Sequence, residues 1–221
     1  MRIFVTGATG FIGSALVPDL IQAGHQVLGL TRSDAGAKAL RAAGADVKYG
    51  NLEDLDSLRD GAAKSDGVIH LAFNHDFLNF QKICDDDRKA IEAIGETLLG
   101  SNRPFVVTSG TAIAANVDGK PSTEDGPTAS WNPRAASEGA VKELTGRGVN
   151  TSVVRLPQVH DTRKQGLVPY VTVAARDKRV SAYIGDGGNR WPAAHVSDVA
   201  PLYRLALEKA ERGAIYHAVD E

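Results

Sequence analysis

The chain lacks the features of membrane-spanning, disulfide-bonded and nucleic-acid-binding proteins. It contains one cysteine, Cys84, so an internal disulfide is excluded and a reducing compartment is expected. Its apolar runs fall short of the roughly 18 residues that a spanning helix needs, and its first residues carry no signal-peptide pattern. With 25 basic and 27 acidic residues and no basic run, it offers no surface for nucleic acid. We therefore expect a cytoplasmic protein that binds neither membranes nor nucleic acids.

Strand-like and helical segments alternate along most of the chain. The 221 residues suffice for one sizeable core, so we predict a single domain over residues 1–221. Regular alternation implies right-handed crossovers and a parallel sheet covered on both faces, which is a doubly wound α/β fold. The local pattern also predicts a solvated acidic cluster over residues 85–87, a long polar loop over residues 116–133 and a strand over residues 180–184.

The first 20 residues carry the most specific pattern. A short apolar strand is followed by Gly7, Gly10 and Gly13, and an amphipathic helix begins at Phe11. A dinucleotide site needs this order. The first glycine allows a sharp turn, the second a close approach of backbone amides to a pyrophosphate, and the third close packing of helix on strand. The anion would lie at the positive helix N terminus.

Further short motifs occur along the rest of the chain. In order they are TGATGFIG (6–13), AGHQV (23–27), GNLED (50–54), HLAF (70–73), VVTSGTA (106–112), RLPQV (155–159) and PAAHVSDVA (192–200). This order resembles the extended and atypical branches of the short-chain dehydrogenase/reductase superfamily, the group that includes NAD-dependent epimerases and dehydratases. The resemblance covers nearly the whole chain. It implies a Rossmann fold with a small C-terminal substrate-binding lobe over residues 157–198 and no metal site.

The end of the second predicted strand bears on the choice of cofactor. A site that prefers NAD places a carboxylate there, whereas this chain has Arg32, with Asp34 only in the following turn. A guanidinium can bind a 2′-phosphate through paired charge-assisted hydrogen bonds, and Ser33 can add a hydroxyl. We therefore predict NADP(H), with NAD(H) also possible. Alternatively, Arg32 stacks over adenine or is merely solvated.

The resemblance also implies the other residues that contact the cofactor. Asn51 occupies a position where the family commonly has an aspartate near the adenine amino group, and its amide can still offer an acceptor. The complete predicted cofactor set is Gly7, Thr9, Gly10, Phe11, Ile12, Arg32, Ser33, Asn51, Leu52, Leu71, Ala72, Phe73, Thr108 and Pro157.

The catalytic pattern of the resembled family is broken. Its members use a tyrosine to deliver the proton and a lysine, in the spacing YxxxK, to lower the tyrosine pKa and hold the ribose. No tyrosine here has a lysine four residues later, and family order places Arg134 and Glu138 at these positions. Arg134 can stabilise an oxyanion or bind an acidic substrate but cannot act as a general acid. Glu138 can accept hydrogen bonds from ribose. Alternatively, both belong to an i, i+4 ladder of surface ion pairs with Lys142.

Hydroxyl groups remain where the resembled family has its serine or threonine. Ser109 and Thr111 follow the fifth predicted strand, at the edge where open α/β sheets bind ligands, and either could hydrogen-bond a substrate carbonyl. Gly110 replaces one family hydroxyl. Alternatively, these hydroxyls only satisfy their own turn.

Histidines are the candidate proton donors, because their pKa values lie near neutrality. We rank His160 first, since it follows the segment that runs beside the nicotinamide in the resembled family. His75 and His195 are the alternatives. Arg155 is expected to be a structural anchor. Tyr170, Tyr183 and Trp191 are expected to line a substrate pocket.

Three functional hypotheses follow. The first is an NADP(H)-dependent oxidoreductase of the atypical short-chain type that acts on a small carbonyl or hydroxyl metabolite, with a homodimer possible. The second is a catalytically silent NADP(H)-binding sensor or regulator, which the loss of YxxxK favours. The third is an enzyme like the nucleotide-sugar epimerases and dehydratases, or a non-redox enzyme on the same fold.

Overall fold

A seven-stranded parallel sheet forms the centre of the protein. The computed structural model describes residues 1–114 and 120–220. The strands of this sheet are β1 (Arg2–Thr6), β2 (Gln26–Thr31), β3 (Asp46–Tyr49), β4 (Gly67–His70), β5 (Pro104–Gly110), β6 (Asn150–Leu156) and β9 (Ile215–His217), in the order β3-β2-β1-β4-β5-β6-β9. The strand order reverses direction between β1 and β4. Doubly wound sheets bind ligands at this point, outside the carboxyl ends of the strands. The predicted fold class is confirmed.

Helices cover both faces of the sheet. They are α1 (Gly13–Gln22), α2 (Asp34–Ala42), α3 (Leu55–Ala63), α4 (Phe80–Leu98), α5 (Ala135–Gly146), α6 (Val168–Lys178) and α7 (Val196–Lys209). Alternate residues of β1 divide the core: Ile3 and Val5 pack with α1 and α7, whereas Phe4 packs with α3, α4 and α5. All three side chains are fully buried. This explains why the strand has no polar alternation. Among the described helices, none is long and apolar enough to span a membrane.

A second, small sheet stands beside the main one. β7 (Gln158–His160) pairs in parallel with β8 (Ala193–His195), and α6 lies between them in the chain. No residue of α6 is buried. The strand predicted over residues 180–184 is wrong, because these residues are irregular and have no strand to pair with. Val180, Tyr183 and Ile184 are instead exposed.

The polar segment before α5 is irregular where it is described. Residues 120–133 contain one isolated bridge, between Thr128 and Ala114, and no helix or strand. The prediction of a loop over residues 116–133 lies partly outside the described residues. The described part of this segment leads into Arg134, which precedes α5.

Candidate functional site

The glycine turn connects β1 to α1 at the point where the strand order reverses. Gly7 has a φ of +66°, a conformation that favours glycine, and a Cβ atom there would lie 2.7 Å from the Ala72 amide nitrogen. The Gly10 amide donates to the Gly7 carbonyl at 2.9 Å. A Cβ atom on Gly13 would clash with the same carbonyl oxygen. Gly7 and Gly13 therefore each have a steric requirement for glycine, and the role predicted for Gly10 stays a prediction.

The N terminus of α1 is open to a ligand. No side chain caps this helix. The amides of Phe11 and Ile12 also have no hydrogen-bond acceptor in the described part of the chain. Unsatisfied amides and the positive end of the helix dipole together attract an anion. The residues present therefore fit the pyrophosphate of a dinucleotide.

The carboxyl end of β2 presents an unpaired cation. Arg32 is exposed and forms no hydrogen bond or ion pair within residues 1–114 and 120–220. Beside it, the Ser33 hydroxyl caps α2 by accepting from the Gly36 amide at 3.1 Å, so its own proton stays available. The Asp34 carboxylate accepts a 2.8 Å hydrogen bond from the Tyr49 hydroxyl. The nearest carboxylate in the sequence thus has another partner.

Asn51 does not offer the free acceptor that the sequence analysis expects. Its Oδ1 atom accepts from the amides of Glu53 and Asp54 at 2.8 and 3.0 Å, which closes the turn before α3. The side-chain donor, Nδ2, is the group left for a ligand. Leu52 is partly buried against the core.

A buried chain of hydrogen bonds runs behind the glycine turn. Thr6 Oγ1 accepts from the Ala72 amide at 3.2 Å and meets His70 Nδ1 at 2.8 Å, and His70 Nε2 meets Asp87 Oδ1 at 3.1 Å. Because a carboxylate only accepts hydrogen bonds, Nε2–H is the donor of the contact with Asp87. The prediction that Asp87 is solvated is wrong, because its side chain is only 1% exposed.

Arg134 is the partner that makes the buried Asp87 carboxylate stable. Burial alone would raise the pKa of this carboxyl, but the Arg134 charge and hydrogen bonds from His70 and Ser137 lower it to about 2. Ser137 Oγ donates to Asp87 Oδ2 at 2.6 Å, and Arg134 Nη1 binds the same oxygen. Asp87 is therefore ionised throughout the physiological range.

The Arg134 guanidinium is held in one orientation. Nη1 also donates to Ser137 Oγ at 2.7 Å, and Nη2 donates to the Thr108 carbonyl at 2.8 Å. The guanidinium carbon lies 4.1 Å from the centre of the Phe73 ring, and the side chain is 11% exposed. The structure thus fixes the Arg134 cation, which family order is expected to place at the tyrosine position, beside Phe73 and Thr108, two residues predicted to contact the cofactor.

The predicted surface ladder of ion pairs is wrong. Glu138 is buried and receives two 2.8 Å hydrogen bonds from Arg155, one on each carboxylate oxygen. Although burial opposes ionisation, these bonds and the Arg155 charge lower the Glu138 pKa. Arg155 is fully buried, as the predicted anchor role requires. Glu138 is thus already neutralised inside the protein, which leaves the predicted contact with ribose without support.

The candidate hydroxyl groups differ in the hydrogen bonds that they form within the protein. Thr108 donates to the His70 carbonyl at 2.7 Å and lies 2.8 Å from the Tyr203 hydroxyl. Thr111 donates weakly to the Leu156 carbonyl at 3.3 Å. Ser109 Oγ is buried without a hydrogen-bond partner in the described residues, although it lies near enough to Glu138 to help lower that pKa. Thr111 and Ser109 therefore retain hydrogen-bonding capacity.

The candidate histidines occupy two separate places. His160 and His195 pair across the small sheet, with ring centres 5.6 Å apart. His75 instead contacts the Phe73 ring edge to face, at 5.6 Å, and burial together with the nearby Arg134 charge lowers its pKa. His75, rather than His160, therefore contacts Phe73, the ring against which the Arg134 guanidinium packs. Pro157 precedes the small sheet.

The sequence pattern did not single out the buried residues that organise this site. They are Thr6, His70, Asp87, Ser137 and Tyr203. One signal was available for Asp87, because it lies one helical turn from both Ile83 and Ile91 and so shares the apolar face of α4. The same helical spacing from apolar neighbours was available for Ser137 on α5 and Tyr203 on α7. Thr6 and His70 end strands and have no such signal.

The sheet order, the glycine turn and the open helix N terminus define a Rossmann-type protein of the class that binds NAD or NADP. Residues 3–220 match the NAD dependent epimerase/dehydratase family. The chain belongs to this family.

Relatives and solved structures agree with this assignment. An uncharacterized protein of Schizosaccharomyces pombe is 50% identical over 223 residues, covering 100% of this chain and 75% of the relative. The 4-hydroxy-2-methyl-3-oxo-4-farnesyl-3,4-dihydroquinoline-1-oxide ketoreductase of Stigmatella aurantiaca is 29% identical to this chain. The match covers 100% of this chain and 68% of the ketoreductase. The dTDP-glucose 4,6-dehydratase of Streptomyces venezuelae, solved with NAD bound, has the same fold, with a TM-score of 0.77, 20% identity, and coverage of 99% of this chain and 75% of that one.

Proposed function

We propose that the protein is an NADP(H)-dependent oxidoreductase of the atypical short-chain type that acts on a small carbonyl or hydroxyl metabolite. The observation that carries this proposal is the exposed, unpaired Arg32 at the end of β2, next to a helix cap whose Ser33 proton is free. A 2′-phosphate would supply the missing counter-charge. NAD lacks this phosphate, so it would leave Arg32 solvated.

Arg134 is the group that we assign to the reacting oxygen. The nicotinamide, when bound, supplies or accepts the hydride. Arg134 can stabilise negative charge on a substrate oxygen, because its guanidinium is fixed by Asp87, Ser137 and the Thr108 carbonyl before substrate arrives. Thr111 is partly exposed and can donate to the same oxygen if its hydroxyl proton leaves the Leu156 carbonyl, whereas Ser109 is buried behind this surface. The segment over residues 157–198 would form the substrate-binding lobe.

The proton must come from a group other than Arg134, which stays charged at all physiological pH values. His75 is favoured by its contact with Phe73, and His160 by its place after β6. The two assignments can be distinguished by the effect of each substitution on the pH profile of kcat. Replacement of the true donor by glutamine should remove one limb of the pH profile of kcat, whereas replacement of the other histidine should leave the profile unchanged.

Cofactor titration tests the proposal directly. Binding of NADPH and NADH is followed by nicotinamide fluorescence for the wild type, Arg32→Ala and the charge-matched control Lys38→Ala, which removes an exposed cation from the middle of α2. We expect Arg32→Ala to weaken NADPH roughly 30-fold, or about 2 kcal/mol, and NADH less than about threefold. Lys38→Ala should change neither. Equal losses for both cofactors in Arg32→Ala would refute the 2′-phosphate contact.

A cofactor-binding protein without turnover is the second candidate function. It is favoured by the replacement of both YxxxK residues, since Arg134 and Glu138 each have an internal ion-pair partner. Oxidation of NADPH should therefore be followed with a panel of small carbonyl compounds and quinones. Turnover that Arg134→Ala reduces strongly would support the enzyme. Tight NADPH binding with no turnover across the panel would favour the sensor. The epimerase or dehydratase alternative is weakened by the same missing tyrosine and lysine.

A further inference from the structure

A lysine from the turn after β7 lies over the ring of Phe11, two residues before α1. The Lys164 ammonium lies 5.1 Å from the centre of the Phe11 ring. The turn that carries it is tightly closed: Asp161 Oδ1 accepts from the Arg163 and Lys164 amides at 2.6 Å each, and the Asp161 amide donates to the Lys164 carbonyl at 2.8 Å. The backbone of this turn is thus fixed over the glycine motif.

The Lys164 charge interacts with the Asp161 carboxylate of its own turn and helps the Lys164 and Arg163 amides to lower the Asp161 pKa, but no carboxylate of the described residues lies within ion-pair distance of it. Lys164 is exposed and forms no ion pair within residues 1–114 and 120–220. Phe11, whose ring it contacts, precedes α1, and the Phe11 and Ile12 amides have no acceptor at this positive end of the helix dipole in the described residues. An anion bound at these amides would be attracted both by the helix dipole and by the Lys164 charge.

We propose that Lys164 binds the diphosphate of the dinucleotide from the side opposite the α1 amides. This inference rests on the proposed function, because it takes the glycine turn to hold NADP(H). The diphosphate carries two negative charges and is common to both cofactors. Lys164 therefore contributes affinity but not the choice between NADP and NAD, which belongs to Arg32. The contact also ties the segment over residues 157–198 to the bound cofactor.

Nucleotide fragments separate the two cations. ADP-ribose contains the diphosphate but no 2′-phosphate, whereas adenosine 2′-monophosphate contains the 2′-phosphate but no diphosphate. We expect Lys164→Ala to weaken NADPH, NADH and ADP-ribose about tenfold each, the size of one charge-assisted contact, and to leave adenosine 2′-monophosphate unchanged. Arg32→Ala should show the reverse selectivity between the two fragments. Lys164→Arg should retain most of the affinity.

Arg163→Ala is the matched control, because Arg163 is the neighbouring exposed cation of the same turn and contacts no ring in the described residues. It should bind all four nucleotides as the wild type does. Losses in Arg163→Ala equal to those in Lys164→Ala would attribute the effect to net charge and overturn the inference. Unchanged ADP-ribose binding in Lys164→Ala would also overturn it. A wild type that binds no nucleotide would instead refute the proposed function.

Discussion

Replacement of Asp87 by asparagine should destabilise the protein severely, because this carboxylate neutralises a buried charge. Asn keeps the size and some hydrogen bonds of Asp87 but removes the negative charge that faces Arg134. The Arg134 side chain is 11% exposed, so water cannot replace the lost partner fully. The perturbation therefore leaves an uncompensated cation against the Phe73 ring and the end of β5.

The size of the effect follows from the carboxyl pKa. Its decrease from 3.8 to about 2 on folding corresponds to roughly 2 to 3 kcal/mol of stabilisation of the charged form. Removal of one partner from a buried ion pair costs about 3 to 5 kcal/mol in other proteins. We therefore expect Asp87→Asn to lower the free energy of unfolding by about 3 kcal/mol.

Urea unfolding followed by circular dichroism measures this loss at pH 7. Asp85→Asn is the control, because Asp85 is a close neighbour on α4 whose contact is a 3.4 Å hydrogen bond from Gln81. It should change the free energy of unfolding by less than about 0.5 kcal/mol. Similar losses in the two variants would refute the assignment of Asp87 as the counter-ion of Arg134.

The pH dependence gives a second check. Because the Asp87 pKa is lower in the folded than in the unfolded protein, its stabilisation is complete above about pH 4 and is lost as the pH falls through about 2. The difference between wild type and Asp87→Asn should therefore stay constant from pH 8 to pH 5. A difference that disappears within this range would mean that another group carries the effect.

Three further predictions concern other parts of the site. Gly13→Ala should abolish nucleotide binding and lower thermal stability, since its Cβ atom would clash with the Gly7 carbonyl; normal NADPH affinity would contradict this. Tyr203→Phe should cost about 1 kcal/mol in urea unfolding, because the Thr108 hydroxyl loses its 2.8 Å partner; a change within error would show that this contact contributes nothing. Glu138→Gln should cost about 3 kcal/mol in the same assay by leaving the opposing arginine buried and unpaired, whereas a stable variant would refute the need for that pair.

The parts of this protein that the sequence predicts well are those determined by local sterics and by periodicity. The glycine turn needs only neighbouring residues and the adjacent strand, and the buried strands follow from continuous apolar runs. The predicted strand over residues 180–184 fails for the opposite reason. Its pattern is adequate locally, but a strand also needs a partner, and residues 180–184 pair with no strand in the described part of the chain.

The site depends on partners that are distant in the chain. Arg134 precedes α5, but its counter-ion comes from α4, 47 residues earlier, and no spacing rule connects the two. Glu138 likewise pairs with Arg155 on β6 rather than with a residue on its own helix. Because a helical ladder and two tertiary ion pairs use the same residues, the sequence could not decide between them. The contacts of Arg134 with α4 and of Glu138 with β6 show that the tertiary ion pairs form.

The distribution of charge around the cleft has a kinetic consequence. The buried cations Arg134 and Arg155 are each paired with a carboxylate, which offsets their charge. Arg32 and Lys164 are exposed and form no ion pair in the described residues, and in the proposed complex they would lie at the 2′-phosphate and at the diphosphate. We therefore expect these two surface residues, rather than the two buried arginines, to accelerate the encounter with a polyanionic nucleotide. This acceleration weakens as salt shortens the screening length to about 8 Å at physiological ionic strength.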